Sequence, residues 1–186
     1  LSQSARRYAN HNLDLGKNIV VFTNNDYAYQ TAIDFKLSNT VDNKVMVVDI
    51  RNNSKGDLVK EANALGIHIL FNHIITNTKG RKKINSVFIH KIDEETNEII
   101  DNYGKVPCDL LCVSGGWTPT VHLFTQSRGK LIYRESDATF IPHKSFQDEV
   151  SIGACNGTFT LDEILDETYN KISNLISSFG KKTEKE

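Results

Sequence analysis

The sequence predicts an α/β fold with three layers around a parallel sheet, to which an antiparallel hairpin or meander is added. Three short apolar runs alternate with helical patterns between residues 17 and 71, and this alternation is typical of βαβ units with a parallel sheet. After residue 74 the pattern changes, because Val87 and Ile89 alternate with Phe88 and His90 and charged turns separate the runs. Such a pattern is typical of antiparallel strands.

The first part of the chain predicts a helix, a strand and a second helix. Residues 1–14 predict a short helix followed by a linker. Residues 17–23 contain four consecutive apolar residues, which indicates a strand that is buried on both faces. The turn at residues 23–26 supplies an N-cap for the helix that follows, and this helix is predicted to end at residues 38–39.

The next three predicted elements complete a right-handed βαβαβ unit, which is the core of a Rossmann-like domain. Residues 44–50 form the second strand. A helix over residues 57–65 ends at Gly66, which stands where glycine is favoured after a helix. Residues 67–71 form the third strand.

The antiparallel part is predicted from residues 75–100. Residues 75–77 and 84–90 are expected to pair as strands, joined by an exposed basic turn at residues 79–83. A charged loop at residues 93–97 then leads into a further strand at residues 98–100.

Two glycine segments follow apolar runs in the last part of the chain. Residues 110–113 predict a buried strand that ends at Gly115 and Gly116, so unhindered backbone is expected at the carboxyl edge of a sheet, where open α/β sheets bind ligands. Residues 148–152 are expected to be an apolar strand that leads into the second segment, residues 153–157, where a long amphipathic helix opens.

The rest of this region is less regular. A short strand is predicted at residues 130–133, and an irregular segment is predicted to continue through residue 142. Residues 181–186 are charged and are predicted to form a frayed tail.

Length and charge limit the classes of function. The 186 residues suffice for one domain or for two small ones that share a sheet. A formal charge of −1 does not indicate a nucleic-acid partner, and no run approaches the ~20 apolar residues of a membrane helix. Three cysteines without a CxxC motif favour a reducing, cytoplasmic compartment. The start at Leu1, without methionine, indicates a piece of a longer polypeptide.

The first turn between strand and helix, residues 23–28, stands where a dinucleotide-binding fold carries its glycine-rich phosphate loop. The glycines are missing: Asn24 and Asn25 would crowd a pyrophosphate, and Asp26 would repel it. Asp49 ends the second strand, where such folds hold a ribose. We favour the interpretation that this module has no nucleotide of its own.

The two glycine segments are better candidates for a ligand site. Backbone amides at the start of a helix can bind an anionic or strongly polar group. Trp117 is interpreted either as a ligand contact or as a partly buried anchor of its loop.

Neither a metal site nor a hydrolase triad is predicted. The six histidines lie in different predicted elements without the spacing of metal ligands, and Ser114 lacks the surroundings of a nucleophile elbow. Cys108 and Cys112, four residues apart, are expected on one face of a strand as free core thiols.

Four runs of the sequence are distinctive: FTNNDYAY (22–29), VDIR (48–51), VSGGWTPTVHLFTQSRGK (113–130) and GACNGTF (153–159). Together they resemble the alpha subunit of heterotetrameric sarcosine oxidase. The third run is long and unusual, so the match is specific. The resemblance covers the chain from about residue 4 to about residue 165.

The resemblance implies a multi-subunit flavoenzyme that oxidatively demethylates sarcosine to glycine. The other products would be hydrogen peroxide and either formaldehyde or methylene-tetrahydrofolate. The other subunits, beta especially, would be partners, with FAD in beta, FMN at the alpha–beta interface and NAD in alpha.

The resemblance also implies the domain organisation. We expect an N-terminal helix and linker at 1–15, a nested Rossmann-like domain at 16–104, a return segment of a second dinucleotide-binding domain at 105–180 and a tail at 181–186. The glycine-rich loop of that second domain would lie before Leu1.

The NAD contacts are predicted at Gly115, Gly116, Trp117, Thr118, Gly153, Ala154, Asn156 and Gly157, and no catalytic or metal-binding residue is assigned. Two other functions remain open. One is a noncatalytic module that docks a partner subunit through residues 117–130. The other is a stand-alone oxidoreductase resembling pyridine-nucleotide-disulfide reductases, against which the missing glycine-rich loop argues.

Overall fold

The computed structural model contains the predicted parallel sheet in the first of two compact units, Leu1–Gly116. The structure describes residues 1–11, 13, 15–38 and 43–183. In chain order the elements of the first unit are α1 (Ser2–Asn10), β1 (Asn18–Thr23), α2 (Tyr27–Leu37), β2 (Lys44–Asp49), α3 (Asp57–Ala64), β3 (His68–Phe71), β4 (His73–Gly80), β5 (Ile84–Ile92), β6 (Ile99–Pro107) and β7 (Leu110–Ser114).

The sheet has four parallel strands in the order β3-β2-β1-β7. The strands β1, β2 and β3 confirm the three apolar runs that the sequence predicts in this part of the chain. The strand β7 lies beside β1, with Ile19 opposite Leu110 and Thr23 opposite Ser114. The run that ends at Gly115 therefore completes the sheet of the first unit.

The two faces of the sheet are covered by different layers. Ile19 and Val21 of β1 pack with helices α1 to α3 in one buried cluster. Val20, which points to the other face because side chains alternate along a strand, packs with Val87 and Ile89 of β5 in a second cluster. Helices, parallel sheet and antiparallel sheet thus form the three layers that the sequence predicts.

The antiparallel sheet is a meander in the order β4-β5-β6. The predicted basic turn joins β4 to β5, and the charged loop joins β5 to β6. Both pairings contain register shifts, and β6 is irregular where it passes Ile100 and Tyr103. Such bulges twist a strand and disfavour further pairing along its edge.

Three predictions about residues of the first unit have different outcomes. Gly66 has φ +69° after α3, which confirms its predicted place after the helix. Asp26 is the N-cap residue of α2, within the predicted residues 23–26, but it has helical φ and ψ and its side chain makes no cap hydrogen bond. Its carboxylate accepts hydrogen bonds from Arg51 and Ser54 instead. Residue 39, predicted to end α2, lies outside the described residues.

The cysteines of the first unit lie on opposite sides of the sheet, so the expectation of a shared face is wrong. Cys108 precedes β7 and packs in the cluster on the meander side. Cys112 lies within β7 and packs on the helix side. Both thiols are free and buried, and burial raises the pKa of each to about 11, which makes them unreactive near neutral pH.

The second unit begins at Trp117. Its elements are α4 (His122–Gln126), β8 (Lys130–Arg134), β9 (Thr139–Lys144) and α5 (Leu161–Thr183), with short 3-10 helices at Glu135–Asp137 and Gly153–Asn156. The strand β8 confirms the prediction at residues 130–133. The long helix is also confirmed, although it begins only at Leu161. The predicted tail begins within α5, and residues 184–186 lie outside the described residues.

Two predictions for the second unit are wrong. The segment predicted as irregular contains β9, which pairs with β8 and brings the rings of Tyr133 and Phe140 to 5.3 Å between centroids. Ala138 closes the hairpin with φ +51°. Residues other than glycine rarely adopt positive φ, so an alanine at this position does not indicate a turn in the sequence. No strand precedes Gly153 in the described structure, because residues 148–152 belong to no strand and pair with no sheet.

The predicted domain boundaries concern dinucleotide-binding domains of a longer chain and stay a prediction. The compact units divide at Gly116, and β7, within the predicted return segment, pairs with β1.

Replacing Gly16 with alanine is expected to destabilise the first unit by about 2 kcal/mol or more. Gly16 has φ +100°, and a Cβ there would lie 2.4 Å from the Cβ of Asp109. The carboxylate of Asp109 accepts hydrogen bonds from the backbone amides of Lys17 and Asn18 and so joins the starts of β1 and β7. Urea unfolding followed by circular dichroism measures the effect.

The matched control is Gly66→Ala. Gly66 also has positive φ, but a Cβ there would meet no described atom within 4 Å. This variant should lose only about 1 kcal/mol. Equal losses for the two variants would show that the contact with Asp109 is unimportant.

Candidate functional site

The carboxyl edge of the parallel sheet is the place where an open α/β sheet binds ligands. Here β1 ends at Thr23, β2 at Asp49 and β7 at Ser114. The turn predicted to resemble a phosphate loop and the first glycine segment both begin at this edge. Their contacts decide whether a nucleotide can approach it.

The turn after β1 is bound to the glycine segment after β7. Thr23 first fixes the turn, because its Oγ1 accepts a hydrogen bond from the amide of Asn25 at 3.0 Å. The Nδ2 of Asn25 donates to the carbonyl of Ser114 at 3.1 Å, and the Nδ2 of Asn24 donates to the carbonyl of Gly115 at 3.2 Å. Two asparagine side chains therefore occupy the gap between β1 and β7. A phosphate bound in this gap would need backbone amides that no side chain covers.

The carboxylate at the end of β2, that of Asp49, also accepts hydrogen bonds from the chain itself. Asp49 is fully buried. It accepts hydrogen bonds from the hydroxyl of Tyr29 at 2.8 Å and from Nη2 of Arg51 at 2.7 Å, and the amide and Nε of Arg51 donate to its other oxygen at 3.0 Å. Both oxygens are thus engaged inside the protein, and neither is presented to a ribose.

Arg51 extends this network to the turn after β1. The same Nη2 that binds Asp49 donates to Oδ1 of Asp26 at 2.7 Å, and Ser54 donates to that oxygen as well. We call Asp26, Tyr29, Asp49, Arg51 and Ser54 the edge network. It joins the ends of β1 and β2 through two carboxylates and one guanidinium.

The protonation states of the edge network are firmly set. Burial, and then the hydrogen bond to Asp49, raise the pKa of Tyr29, so its hydroxyl keeps its proton. The hydrogen bond to Asp49 is the largest cause that raises the pKa of Arg51, so the guanidinium stays charged. A charge-assisted pair of this kind is structural rather than a proton-transfer device.

Sequence reasoning identified Asp49 and the missing glycines but not the partners of Asp49. Arg51 follows Asp49 by two residues and could have been suspected as its counter-ion. Tyr29 lies 20 residues away from Asp49 in sequence, and a contact over that distance has no local signal.

The predicted contact residues of the first glycine segment divide between the two units. Gly115 and Gly116 are exposed and end the first unit, whereas Trp117 and Thr118 are exposed and begin the second. A Cβ at Gly115 would meet no described atom within 4 Å, and Gly116 has φ +95°. Backbone at these two glycines is accessible, as their predicted role requires.

The second glycine segment is bound by a carboxylate of the chain itself. Glu167 of α5 accepts hydrogen bonds from the amide of Gly153 at 3.0 Å and from Nδ2 of Asn156 at 2.6 Å. Lys171 lies 2.7 Å from the same side chain. A carboxylate of the chain itself therefore already binds the backbone amide and the amide side chain of this segment.

Burial alone would raise the pKa of Glu167. Hydrogen bonds from Lys171, from the amide of Gly153 and from Thr158 and Asn156 outweigh burial and lower the pKa to about 2. Ala154 and Gly157 belong to the same short turn, and Gly157 has φ +82°. Contact of this segment with a dinucleotide, alone or together with residues 115–118, stays a prediction.

Two further observations concern other classes of site. In the part of the chain that the structure describes, no group of three or more histidine, cysteine, aspartate or glutamate side chains could hold a metal ion. Among the same residues, no helix is both long enough and apolar enough to cross a membrane.

Comparison with known proteins identifies relatives of the chain. No family model matches it. Sarcosine oxidase subunit alpha from Corynebacterium sp. strain P-1 is 28% identical over 162 residues, and the same subunit from strain U-96 is 30% identical over 160 residues. These matches cover 86% and 84% of this chain but only 16% of each relative. The resemblance seen in the sequence is therefore confirmed for one segment of that subunit.

Solved structures confirm the fold class. FprA of Mycobacterium tuberculosis in complex with NADPH matches with a TM-score of 0.61 at 13% identity, over 96% of this chain and 56% of that chain. The bacillithiol disulfide reductase Bdr of Bacillus cereus matches with a TM-score of 0.53 at 14% identity, over 75% of this chain and 42% of that chain. At these identities the likeness shows a Rossmann-like fold alone.

Proposed function

We propose that this chain, which matches one segment of sarcosine oxidase subunit alpha, is a scaffold segment of an oxidoreductase subunit. We further propose that it binds no nucleotide at the ends of β1 and β2 on the carboxyl edge of its own parallel sheet, so that NAD in the larger subunit would approach only the exposed backbone after β7. The observation that carries this proposal is the occupation of that edge by the chain's own side chains. Asn24 and Asn25 occupy the place of a phosphate, and Arg51 occupies both carboxylates near the place of a ribose.

The comparisons support the proposed subunit type. Two sarcosine oxidase alpha subunits match more than four fifths of the chain, and the fold neighbours include oxidoreductases. The reaction of the whole complex would be the oxidative demethylation of sarcosine to glycine, with hydrogen peroxide and formaldehyde or methylene-tetrahydrofolate as products. This chain would contribute to it structurally, beside beta and the other subunits.

NAD is the cofactor that we propose for the larger subunit, while FAD and FMN would be held elsewhere in the complex. The accessible backbone of Gly115 and Gly116 fits the close approach of a dinucleotide. The turn at Thr23 does not fit, since its asparagines are bound across the gap. We therefore assign contact with NAD first to Gly115, Gly116, Trp117 and Thr118.

The second glycine segment has a different proposed role. Glu167 already holds the amide of Gly153 and the side chain of Asn156, so a phosphate there would meet a carboxylate. We propose that residues 153–157 support the site through a fixed backbone turn.

Calorimetric titration with NAD⁺ tests the proposal. The 186-residue chain should show no saturable binding, whereas a longer alpha-subunit polypeptide that contains this chain should bind NAD⁺. In that longer polypeptide, Gly115→Val should weaken binding, because a branched side chain would obstruct the accessible backbone.

Two results would contradict the proposal. Absence of NAD⁺ binding by the longer polypeptide would remove the assigned cofactor. Oxidation of NADH by the 186-residue chain with any electron acceptor would instead identify a stand-alone reductase.

A further inference from the structure

The sequence contains one Asn-Gly pair, Asn156-Gly157, and it lies in the second glycine segment. An asparagine followed by glycine is especially prone to deamidation. The reason is that glycine has no side chain to hinder attack of its backbone nitrogen on the side-chain amide of the asparagine. The contacts of this pair show what restrains it and what a new carboxylate at residue 156 would meet.

The turn requires glycine at residue 157. Gly157 has φ +82°, a conformation that favours glycine over every other residue. A Cβ at this position would also lie 2.7 Å from Nη2 of Arg134 and 2.9 Å from Cγ2 of Ile141. Backbone conformation and space therefore both exclude a side chain that would slow the reaction.

The turn also uses the amide of Asn156. Its Nδ2 donates to Oε1 of Glu167 at 2.6 Å, and the side chain of Glu167 is only 13% exposed. An asparagine amide supplies such a donor, whereas an ionised aspartate can only accept hydrogen bonds. The contacts of the turn thus account for both residues of the labile pair.

Hydrogen bonds of the folded turn restrain both reacting groups. The amide of Gly157 donates to the carbonyl of Ala154 at 3.3 Å, and the carbonyl of Gly157 accepts from Nη2 of Arg134 at 2.8 Å. Glu167 holds the side-chain amide of Asn156. The nitrogen of Gly157 has to lose its proton and reach Cγ of Asn156, so the turn must open before the reaction can proceed.

We propose that Asn156 is a site of spontaneous deamidation and that Glu167 suppresses the reaction in the folded chain. The nitrogen of Gly157 loses its proton and forms a bond to Cγ of Asn156, and the side-chain nitrogen leaves as ammonia. Water then opens the succinimide at either of its carbonyls and leaves aspartate or isoaspartate. The sequence of steps consumes water, releases ammonia and uses no oxidant or reductant.

The product carboxylate would oppose Glu167. Deamidation replaces a hydrogen-bond donor with an acceptor, and two carboxylates at hydrogen-bond distance repel each other. Among the residues that the structure describes, Lys171 is the one cation that forms an ion pair with Glu167, at 2.7 Å. A single ammonium would then face two carboxylates, so the modified turn opens more readily than the original.

Peptide mapping by mass spectrometry, during incubation of the 186-residue chain at mildly alkaline pH, tests the suppression. The folded chain should deamidate at Asn156 at least about 20-fold more slowly than the chain unfolded in urea. Glu167→Gln should raise the rate in the folded chain about fivefold or more, because the hydrogen bond to a charged group is lost. The matched control is Glu163→Gln, which removes the same charge from an exposed position of the same helix and should leave the rate unchanged.

A second control separates opening of the turn from general loss of stability in the second unit. Phe124 is buried in this unit, where its ring lies against Gly129. Phe124→Leu should weaken that packing but leave the rate at Asn156 near that of the unchanged chain. Equal rates for Phe124→Leu and Glu167→Gln would overturn the role of Glu167. Equal rates for the folded and the unfolded chain would overturn the suppression itself.

Exchanging the two side chains tests the consequence of the modification. Asn156→Asp, which makes the aspartate product by substitution, should raise the unfolding equilibrium constant of the second unit at least about tenfold. Adding Glu167→Gln restores an amide opposite a carboxylate, so the double variant should be more stable than the two single changes together predict. Urea unfolding followed by the fluorescence of Trp117 measures both. An Asn156→Asp chain as stable as the original, or strictly additive effects, would overturn the opposition of the two carboxylates.

Discussion

Replacing Arg51 with methionine is expected to destabilise the first unit by about 3 kcal/mol, near the lower end of the cost of breaking a buried ion pair. The reason is Asp49, which has no exposed surface and loses the two hydrogen bonds from the guanidinium. It keeps only those from the backbone amide of residue 51 and the hydroxyl of Tyr29. The guanidinium itself is 30% exposed, so its own desolvation is incomplete. Urea unfolding monitored by circular dichroism measures the change.

Two further variants make this prediction specific. Asp49→Asn combined with Arg51→Met removes the buried charge along with its partner and should recover part of the lost stability. Lys60→Met breaks the exposed pair with Asp57 and should leave the unfolding midpoint unchanged. If Arg51→Met behaves like Lys60→Met, the edge network does not stabilise the sheet edge.

Replacing Glu167 with glutamine is expected to destabilise the second unit by about 2 kcal/mol, because hydrogen bonds to a charged group are lost. The carboxylate accepts from the amide of Gly153, from Asn156 and from Lys171. A glutamine amide replaces one acceptor oxygen with a donor and removes the ion pair. Fluorescence of Trp117, the chain's one tryptophan, reports on unfolding of this unit.

The same carboxylate predicts a pH dependence. The pKa of Glu167 is lowered in the folded chain from its ordinary value of 4.5 to about 2. A lowered pKa means that the unfolded chain binds the proton more tightly, so the stabilisation is present above pH 4.5 and is lost as the pH falls toward 2. In the Glu167→Gln variant, the free energy of unfolding should therefore fall less as the pH is lowered from 4.5 toward 2. Asp166→Asn, an exposed neighbour on α5, should retain it, and equal acid profiles for the two variants would contradict the assignment.

The parallel sheet was predictable because each of its strands is a short apolar run with its own local signal. The neighbour of β1 was not, since Ile19 and Leu110 are paired across about 90 residues and no local pattern records such a pairing. The strand β9 was missed for a different reason. Its hairpin turns at Ala138 with positive φ, where sequence reasoning looks for glycine or asparagine.

The candidate site was predictable in part. The absence of glycines at Asn24 and Asn25 indicated that a phosphate would not fit, and the structure shows where those side chains bind instead. The edge network was not predictable, because it depends on bringing three elements together at one sheet edge. The role of Glu167 was missed because a glutamate on an amphipathic helix is usually exposed to solvent, and its sequence position does not show that it binds a turn.

The central claim is that side chains of the chain close the nucleotide edge of its own parallel sheet. The most direct test is an NMR titration of the isotope-labelled chain with NAD⁺, followed at the backbone amides of Asn24, Asn25 and Arg51. We predict no saturable shift of these signals up to about 1 mM NAD⁺, a concentration that would reveal binding of about 4 kcal/mol or stronger. A saturable shift at these amides would contradict the claim, because it would place a nucleotide where the structure places Asn24, Asn25 and Arg51.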